Sequence, residues 1–420
     1  MDRIQHLMQA IPSGASLVAS SYCSTPTTLL NRLGAVADKS AGLSLSAGLL
    51  LGDLAFLDAV RRGDLQFRTW HASGPVRALA TSGQVGYLPA RASSVSALVG
   101  RDTDVALIRV SPPDSRGRCS LGPSASYTKT LVESARIVIA EVDPDFPVPQ
   151  GDDTWVSTDQ IDYFMDSDTP MAEYPSSDPS SAVREIARHV VGLIPAGAHV
   201  QLGIGAVAEA VASELARSGP GGLRMIGLGC DQMTDLMASG QLISDGRPSI
   251  IAAELLGSEK IFSAAGDHPG IWLASSKTIH NPVWLASLPR LISVCSALAV
   301  DLSGQVASET MDGKVLAGIG GSADFFDGAG LSPGGVRIVA LPSVTAKGIS
   351  RIASSFGAGT AVTMPRHSVD VVITEHGVAT LTGLSTVERA LALANIAAPE
   401  HRPELLHAAG ILPAVSALSA

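Results

Sequence analysis

Short runs of branched or aromatic residues, each closed by Gly, Pro or Asp and alternating with stretches at helical spacing, constrain this chain more than any other feature. In the first third, ASLVAS (15–20), LQFRTW (65–70), VGYLPA (85–90), DVALIRV (104–110) and RIVIAEV (136–142) read as buried strands. A helical stretch, SYTKTLVESA (126–135), precedes the last of them. The pattern resumes with AVREIARHVVGLI (182–194), whose apolar positions recur at helical spacing, and a second series follows: AHVQLGIG, VAEAVASELA, LRMIGLG, DQMTDLMASG and SIIAAELLG. Further strands are predicted at RLISVCSAL (290–298), GVRIVALPS (335–343) and VDVVITEHG (369–377). This order of strand, helix and strand favours mostly parallel sheets covered by helices. At 420 residues the chain exceeds one ordinary domain. The expectation is therefore two tandem open α/β domains, 1–180 and 181–420, although no exact internal repeat is present. The 42 glycines and 25 prolines are dispersed, as many tight strand-to-helix turns require. With aromatics at only 4%, Leu, Ile, Val and Ala must fill both cores.

Charge and hydropathy exclude several classes of function. A net charge of −10 argues against a nucleic-acid partner, which needs a basic face to neutralise phosphates. The most apolar window, LSLSAGLLLGDLAFLDAV from Leu43, is broken by Asp53 and Asp58 and is not a membrane span. The opening MDRIQHLMQAIPSG lacks the apolar run of a signal peptide, so a cytoplasmic protein with no membrane partner is expected. Cys23, Cys119, Cys230 and Cys295 are widely spaced and read as free buried thiols. Between Asp143 and Ser180 there is no Lys or Arg, while Asp and Pro are frequent. A solvated inter-domain connection is preferred there over a metal site at Asp166 and Asp168. Ten histidines show neither HxH nor HExxH spacing, and no metal site is expected. The pairs Glu375-His376 and His280-Asn281 are read as structural.

Two glycine clusters carry the local signals. In QLGIGAVAEAVASEL (201–215) a strand runs into Gly203-Ile204-Gly205 and a helix begins almost at once. Glycines let the backbone approach a ligand, and the helix N-terminus offers unpaired N–H groups to phosphate or carboxylate. Gly203, Gly205 and Ala208 also satisfy a dinucleotide fingerprint of the GxGxxA kind, and a plain packing turn explains them equally well. In GKVLAGIGGSADFFDGAG (313–330), Gly318, Gly320 and Gly321 favour a binding loop rich in N–H donors. Gly330–Gly334 formally matches the GxSxG elbow, but Pro333 has no N–H to serve as oxyanion donor. That stretch is a turn.

Five stretches recur in an order that goes beyond generic α/β: VSPPDSRGRCSLGPSASYTKTLVESARIVIAEV (110–142), QLGIGAVAEAV (201–211), SALAVDLSGQVASE (296–309), GIGGSADFFDGA (318–329) and ITEHGVATLTG (373–383). They resemble the acetyl-CoA hydrolase/transferase family, which includes 4-hydroxybutyrate and succinyl-CoA:acetate CoA-transferases, from about Ser21 to Leu406. The resemblance implies two domains of the class I CoA-transferase type with the active site between them. It implies acyl-CoA, acetyl or another short acyl, and a small carboxylic acid as substrates, no tightly bound cofactor, and a homo-oligomer, with a dimer as the expectation. Gly203, Ile204, Gly205, Ala206 and Val207 correspond to residues that contact coenzyme A in relatives. Gly318, Ile319, Gly320, Gly321 and Ser322 correspond to a second loop at that site, with Ser322 replacing a Gln. Lys347 corresponds to a lysine that reaches coenzyme A.

In the family a glutamate attacks the acyl-CoA carbonyl to give an acyl-glutamyl anhydride, and the released thiolate then stores coenzyme A on the enzyme as a glutamyl thioester. Aligning DLMASG (235–240) with the family puts Gly227 at that glutamate's place, which implies altered or lost chemistry. Glu254, on the next predicted strand, is the substitute carboxylate, as nucleophile or as general base. A strand-end glutamate paired with a cation or facing solvent is the competing reading of Glu254, and Cys230 is a weaker substitute. Two other functions stay open at this stage. One is a non-catalytic member that binds CoA esters or partners an intact subunit. The other is an NAD-binding oxidoreductase using the Gly203 turn, with Asp231 on the ribose.

Overall fold

The computed structural model describes residues 10–411 except 175 and 177, so the first nine residues of the amino-terminal stretch lie outside it. Two large sheets carry the fold. The first is built from β1 (Ser16–Ala19), β2 (Ser44–Ala47), β3 (Gln66–Thr69), β4 (Gly86–Tyr87), β5 (Val105–Val110), β7 (Ile137–Val142) and β9 (Tyr163–Asp166), while β6 (Arg118–Ser120) and β8 (Trp155–Ser157) pair separately. The second uses β10 (His199–Leu202), β11 (Arg224–Gly229), β12 (Ile250–Leu255), β13 (Ile271–Leu273) and β14 (Leu291–Cys295). It is completed by β19 (Val336–Ala340), β21 (Val371–Thr374) and β22 (Gly377–Thr380). Between β14 and β22 the short strands β15 (Ala299–Asp301), β16 (Val306–Ala307), β17 (Thr310–Met311), β18 (Lys314–Val315) and β20 (Ile352–Ala353) form two small sheets.

The strand orders, β4-β3-β2-β1-β5-β7-β9 and β13-β12-β11-β10-β14-β19-β21-β22, follow one plan. In each sheet the first strand lies inside, the next three are added on one side, and the rest on the other. Every pairing within the two large sheets is parallel except β21 with β22. The tandem α/β expectation is met at the level of topology, without sequence repetition. Reversal of winding beside β1 and β10 opens a crevice at the carboxyl ends of the strands, where ligands bind in open α/β sheets.

Local sequence explains the elements that position this crevice. Strands β5 and β12 are almost wholly apolar because both faces are covered by helices. The helix Ser181–Val191 buries Val183, Ile186, Ala187, Val190 and Val191 and is capped by Ser180, whose hydroxyl accepts from the Val183 N–H. Among the described residues, no helix is long and apolar enough to cross a membrane.

Three sequence expectations need correction. Strand β2 lies within the apolar stretch that opens at Leu43, and it escapes sequence reading along with β13 and β22, because three- and four-residue strands carry too little periodicity. The predicted strand at 85–90 shrinks to two residues. The acidic stretch after Asp143 is not a free connection, since β8 and β9 lie within it and β9 extends the first sheet. Asp168 accepts from Thr28 at 2.7 Å and pairs with Arg32 at 2.7 Å. Beneath it, fully buried Arg109 on β5 pairs with Glu141 at 3.0 Å and Asp143 at 2.7 Å and donates to the Thr169 carbonyl. Pairing with two carboxylates and the hydrogen bonds to Asp143 and Thr169 make such a buried charge tolerable, and here the cluster anchors the segment leading to Ser181.

Candidate active site

A cavity of about 630 Å³ opens where the two sheets present their carboxyl ends to each other. Tyr22 beyond β1, Leu50 beyond β2 and Trp70 beyond β3 line one side, and Gly203, Leu228, Glu254 and Cys295 of the second sheet line the other. Neither half could form it alone. Glu254 and Arg77 are the charged side chains of the lining, the first inside the cavity wall and the second on an exposed helix.

Glu254 owes its orientation to a bulge. Along β11 and β12, Gly227 pairs with Ala252 but Leu228 pairs with Glu254, so Ala253 is the extra residue. A bulge turns the strand and re-aims the side chains beyond it. The freed Ala253 carbonyl accepts the N–H groups of Ala125 (3.1 Å) and Ser126 (3.2 Å), and the Leu255 N–H donates to Pro123 at 2.8 Å. The first half of the chain thus grips the second at the carboxylate itself. Glu254 is 2% exposed, joins no salt bridge among the described residues, and neither carboxylate oxygen has a hydrogen-bond partner there. The structure therefore supplies neither the cation nor the solvent of the bland sequence reading. Burial pushes its carboxyl up to about 8, while the nearby hydroxyls of Ser124 and Ser126 pull the other way. Tyr127 stands over the same wall, donating its hydroxyl to the Ala19 carbonyl at 2.6 Å and meeting Trp70 edge to face. Two of the five non-glycine residues at positive φ among the described residues stand here, Tyr22 at +56° and Ser126 at +24°. Such backbone is held only where the surroundings enforce it, commonly at ligand sites.

The two glycine stretches flank this carboxylate. Gly203 and Ile204 line the cavity, and Gly205, at φ +99°, starts the helix Ala206–Ser218 without a side-chain cap. Ala206 and Val207 form that helix's first turn and do not line the main cavity; Val207 is core. Gly318, Ile319, Gly320, Gly321 and Ser322 all line it. A Cβ on Gly318 would lie 2.3 Å from the Trp70 carbonyl oxygen, so only glycine lets this loop rest on the first half. The loop is seated by the Ala92 N–H on the Gly320 carbonyl (2.8 Å), by Tyr87 on Glu309 (2.6 Å) and by Arg91 on buried Asp324 (2.7 Å). Lys347 is on an exposed turn and does not line the cavity.

Other candidates find structural roles. Gly227 has φ +107°, and a Cβ there would come within 2.9 Å of Phe325 Cζ. A side chain at 227 is strained by this backbone and crowded by Phe325, and the carboxylate in the cavity wall comes from the neighbouring strand. Burial pushes the Cys230 thiol up to about 12, far from a reactive thiolate. Asp231 accepts from Ser258 and Ile261 and so is occupied in holding the start of the helix Glu259–Asp267, which removes the acid a dinucleotide site would need. Ser332 bonds the Leu288 carbonyl as a turn residue, and Glu375 is taken up by Ser343. Sequence reading set aside His280, yet it lines the cavity, as do His71 and Gln201. Burial holds both imidazoles down near 4, hence neutral.

Sequence comparison places this geometry among known proteins. Residues 3–173 match the acetyl-CoA hydrolase/transferase N-terminal domain, and residues 257–409 match the acetyl-CoA hydrolase/transferase C-terminal domain. The 4-hydroxybutyrate coenzyme A transferase of Clostridium kluyveri is 33% identical over 409 residues, covering 94% of each chain. The chain belongs to the acetyl-CoA hydrolase/transferase family. Another member, the butyryl-CoA:acetate CoA-transferase of Anaerostipes caccae, is 30% identical over 95% of this chain and 93% of its own. Among solved structures, RipA from Yersinia pestis superposes with a TM-score of 0.88 at 27% identity, covering 97% of this chain and 96% of its own. The 4-hydroxybutyrate CoA-transferase of Porphyromonas gingivalis follows at 0.78 and 25% identity, again over 97% and 96%. Family membership accounts for the shared two-sheet plan and for coenzyme A thioesters as the ligand class.

Proposed function

We propose that this protein moves coenzyme A from a short acyl-CoA to a carboxylic acid, with Glu254 as the covalent nucleophile. One observation carries the reading: a buried carboxylate with both oxygens unpartnered, in the wall of a cavity flanked by two glycine stretches. An unpaired buried carboxylate is unfavourable to folding and persists where chemistry uses it.

On this reading a Glu254 oxygen attacks the thioester carbonyl, the carbon–sulfur bond breaks, and the thiolate of coenzyme A leaves. The thiolate next attacks the Glu254 side-chain carbonyl of the anhydride, expelling the first carboxylic acid and leaving a glutamyl thioester. A second carboxylate reverses both steps. Backbone N–H groups of the Gly203–Gly205 and Gly318–Gly321 stretches would hold the oxyanions, and apolar Leu49, Leu50 and Leu51 would suit a small uncharged acyl group. Transfer fits better than hydrolysis, because the imidazoles in the cavity wall, His71 and His280, are too weakly basic to activate water. Gly227 then serves packing and Glu254 the chemistry.

Incubation with acetyl-CoA followed by digestion should reveal a mass increase of coenzyme A less water on the peptide carrying Glu254. Borohydride should discharge it, and Glu254→Gln should lack both the adduct and acyl exchange with acetate. Exchange that survives in Glu254→Gln would remove the carboxylate from the mechanism. Binding of coenzyme A with neither adduct nor exchange would make the protein a non-catalytic binder.

A further inference from the structure

Among the polar groups of the cavity wall that the proposed transfer leaves unused is the imidazole of His280. It stands on a stiff junction, its backbone N–H bonded to the Ser276 carbonyl at 3.0 Å. The next residue, Asn281, caps the short helix Pro282–Ala286 by accepting from the Val283 N–H at 3.0 Å. Phe325 meets the imidazole edge to face, with centroids 5.1 Å apart and planes at 63°. Phe325 itself fills the space that a side chain at 227 would need. On the loop side, a Cβ on Gly321 would lie 2.5 Å from His280 Cδ2 and 2.7 Å from Nε2. Two glycines, at 227 and 321, therefore make room for one Phe325–His280 stack whose imidazole edge abuts the cavity loop directly.

The same imidazole is buried and forms no side-chain hydrogen bond among the described residues; its Nδ1 is fully enclosed, which leaves Nε2, beside Gly321, as the nitrogen on the cavity side. Folded proteins rarely leave such a group without a partner, and each exception asks for a reason. His280 cannot rotate out to water without displacing Phe325 or the Gly321 backbone.

We infer that His280 is a ligand-contacting residue whose Nε2 finds its hydrogen-bond partner only when acyl-CoA fills the cavity. The partner chemistry is an uncharged oxygen or amide. It comes either from an oxygen substituent on the acyl chain beyond the thioester carbonyl or from the pantetheine arm. This inference rests on the reading that the cavity takes acyl-CoA. In the first case His280 selects hydroxy or oxo acids over plain alkyl acids, since a site built to bond a polar group discriminates against analogues that lack it. In the second it sets affinity for every acyl-CoA alike.

His280→Phe keeps an aromatic ring against Phe325 and removes both nitrogens, whereas His280→Gln keeps an amide able to donate and accept. Rates with acetyl-CoA and a matched pair of acceptors, 3-hydroxybutanoate and butanoate, separate the two sources. If the acyl chain is the partner, His280→Phe lowers the hydroxy-to-alkyl ratio of kcat/KM by roughly tenfold, and His280→Gln restores part of it. If pantetheine is the partner, KM for acetyl-CoA rises by about tenfold with both acids, kcat is kept, and Gln again restores. A ratio and a KM both within about twofold of the parent protein would overturn the inference, as would an equal loss in both variants. Calorimetric binding of coenzyme A and of both acids to the parent and to His280→Phe reads the contact without turnover. It thereby separates a failure of His280 from a failure of the transferase reading, which the adduct on Glu254 tests by itself.

Discussion

Replacing Glu254 by Gln should make the protein inactive and, at alkaline pH, more stable. The buried proton decides the sign. Below about pH 4.5 the carboxyl is protonated in both the folded and the unfolded chain, and its burial adds no pH dependence. As the pH rises beyond 4.5 the unfolded chain releases this proton, while the folded chain keeps it up to about 8. The folded state therefore binds the extra proton across that window, and its stability falls through it and levels off above 8. Moving a carboxyl from 4.5 to about 8 corresponds to about 3–5 kcal/mol against the folded state at pH 9. Gln is uncharged throughout and escapes the penalty. For a chain of 420 residues that difference raises the melting midpoint by roughly 3–6 °C. Differential scanning calorimetry of both proteins from pH 5 to pH 9 is the assay, and titration of every other group cancels in the difference. The gap should be small at pH 5 and widest near pH 9. A gap that stays constant, or that favours the parent protein at pH 9, refutes the claim that Glu254 is buried without a partner. The same titration should show in turnover: kcat/KM for acetyl-CoA should climb with pH toward a plateau above about 8, as the nucleophile ionises in the free enzyme.

Gly227→Ala should cost about 1–3 kcal/mol, from a left-handed φ that alanine resists and from contact with Phe325, and should lower activity by shifting the wall that holds His280. Chemical denaturation with parallel assays checks this, and an unchanged midpoint would show that the slot is looser than described. Arg109→Met leaves Glu141 and Asp143 buried without their cation, so about 3–5 kcal/mol of stability should be lost. A loss below about 1 kcal/mol in urea titration would mean that the cluster is dispensable to the anchoring of the 166–169 stretch.

The legible part of the site was its backbone. Glycine spacing at 203–205 and 318–321 marks backbone free for close approach, and both stretches flank the cavity, because absence of a side chain is a local property that tertiary context cannot remove. Lys347 shows the opposite: a long side chain can point anywhere, and the strand before it did not determine where. The family glutamate's place at Gly227 follows from aligning DLMASG (235–240) with the family, and such an alignment does not register a bulge on the neighbouring strand. Glu254 lies on the neighbouring strand, where the bulge at Ala253 re-aims the side chain that follows it. Gln201 opens the QLGIGAVAEAV stretch and His280 stands beside Asn281, yet neither is marked as a cavity residue in sequence, since polar side chains look alike there whether they face a core or a cavity.

What the amino-acid order settled unaided was the grammar of strands, crossovers and turns, hence two parallel sheets in tandem, because periodicity and glycine turns act over a few residues. Only the tertiary structure decided that the two sheets meet end to end, that residues 123–126 clasp the end of β12, and that Glu254 lies between them without a partner. Those outcomes depend on contacts between residues more than a hundred positions apart, where burial, and not local propensity, sets the state of a side chain.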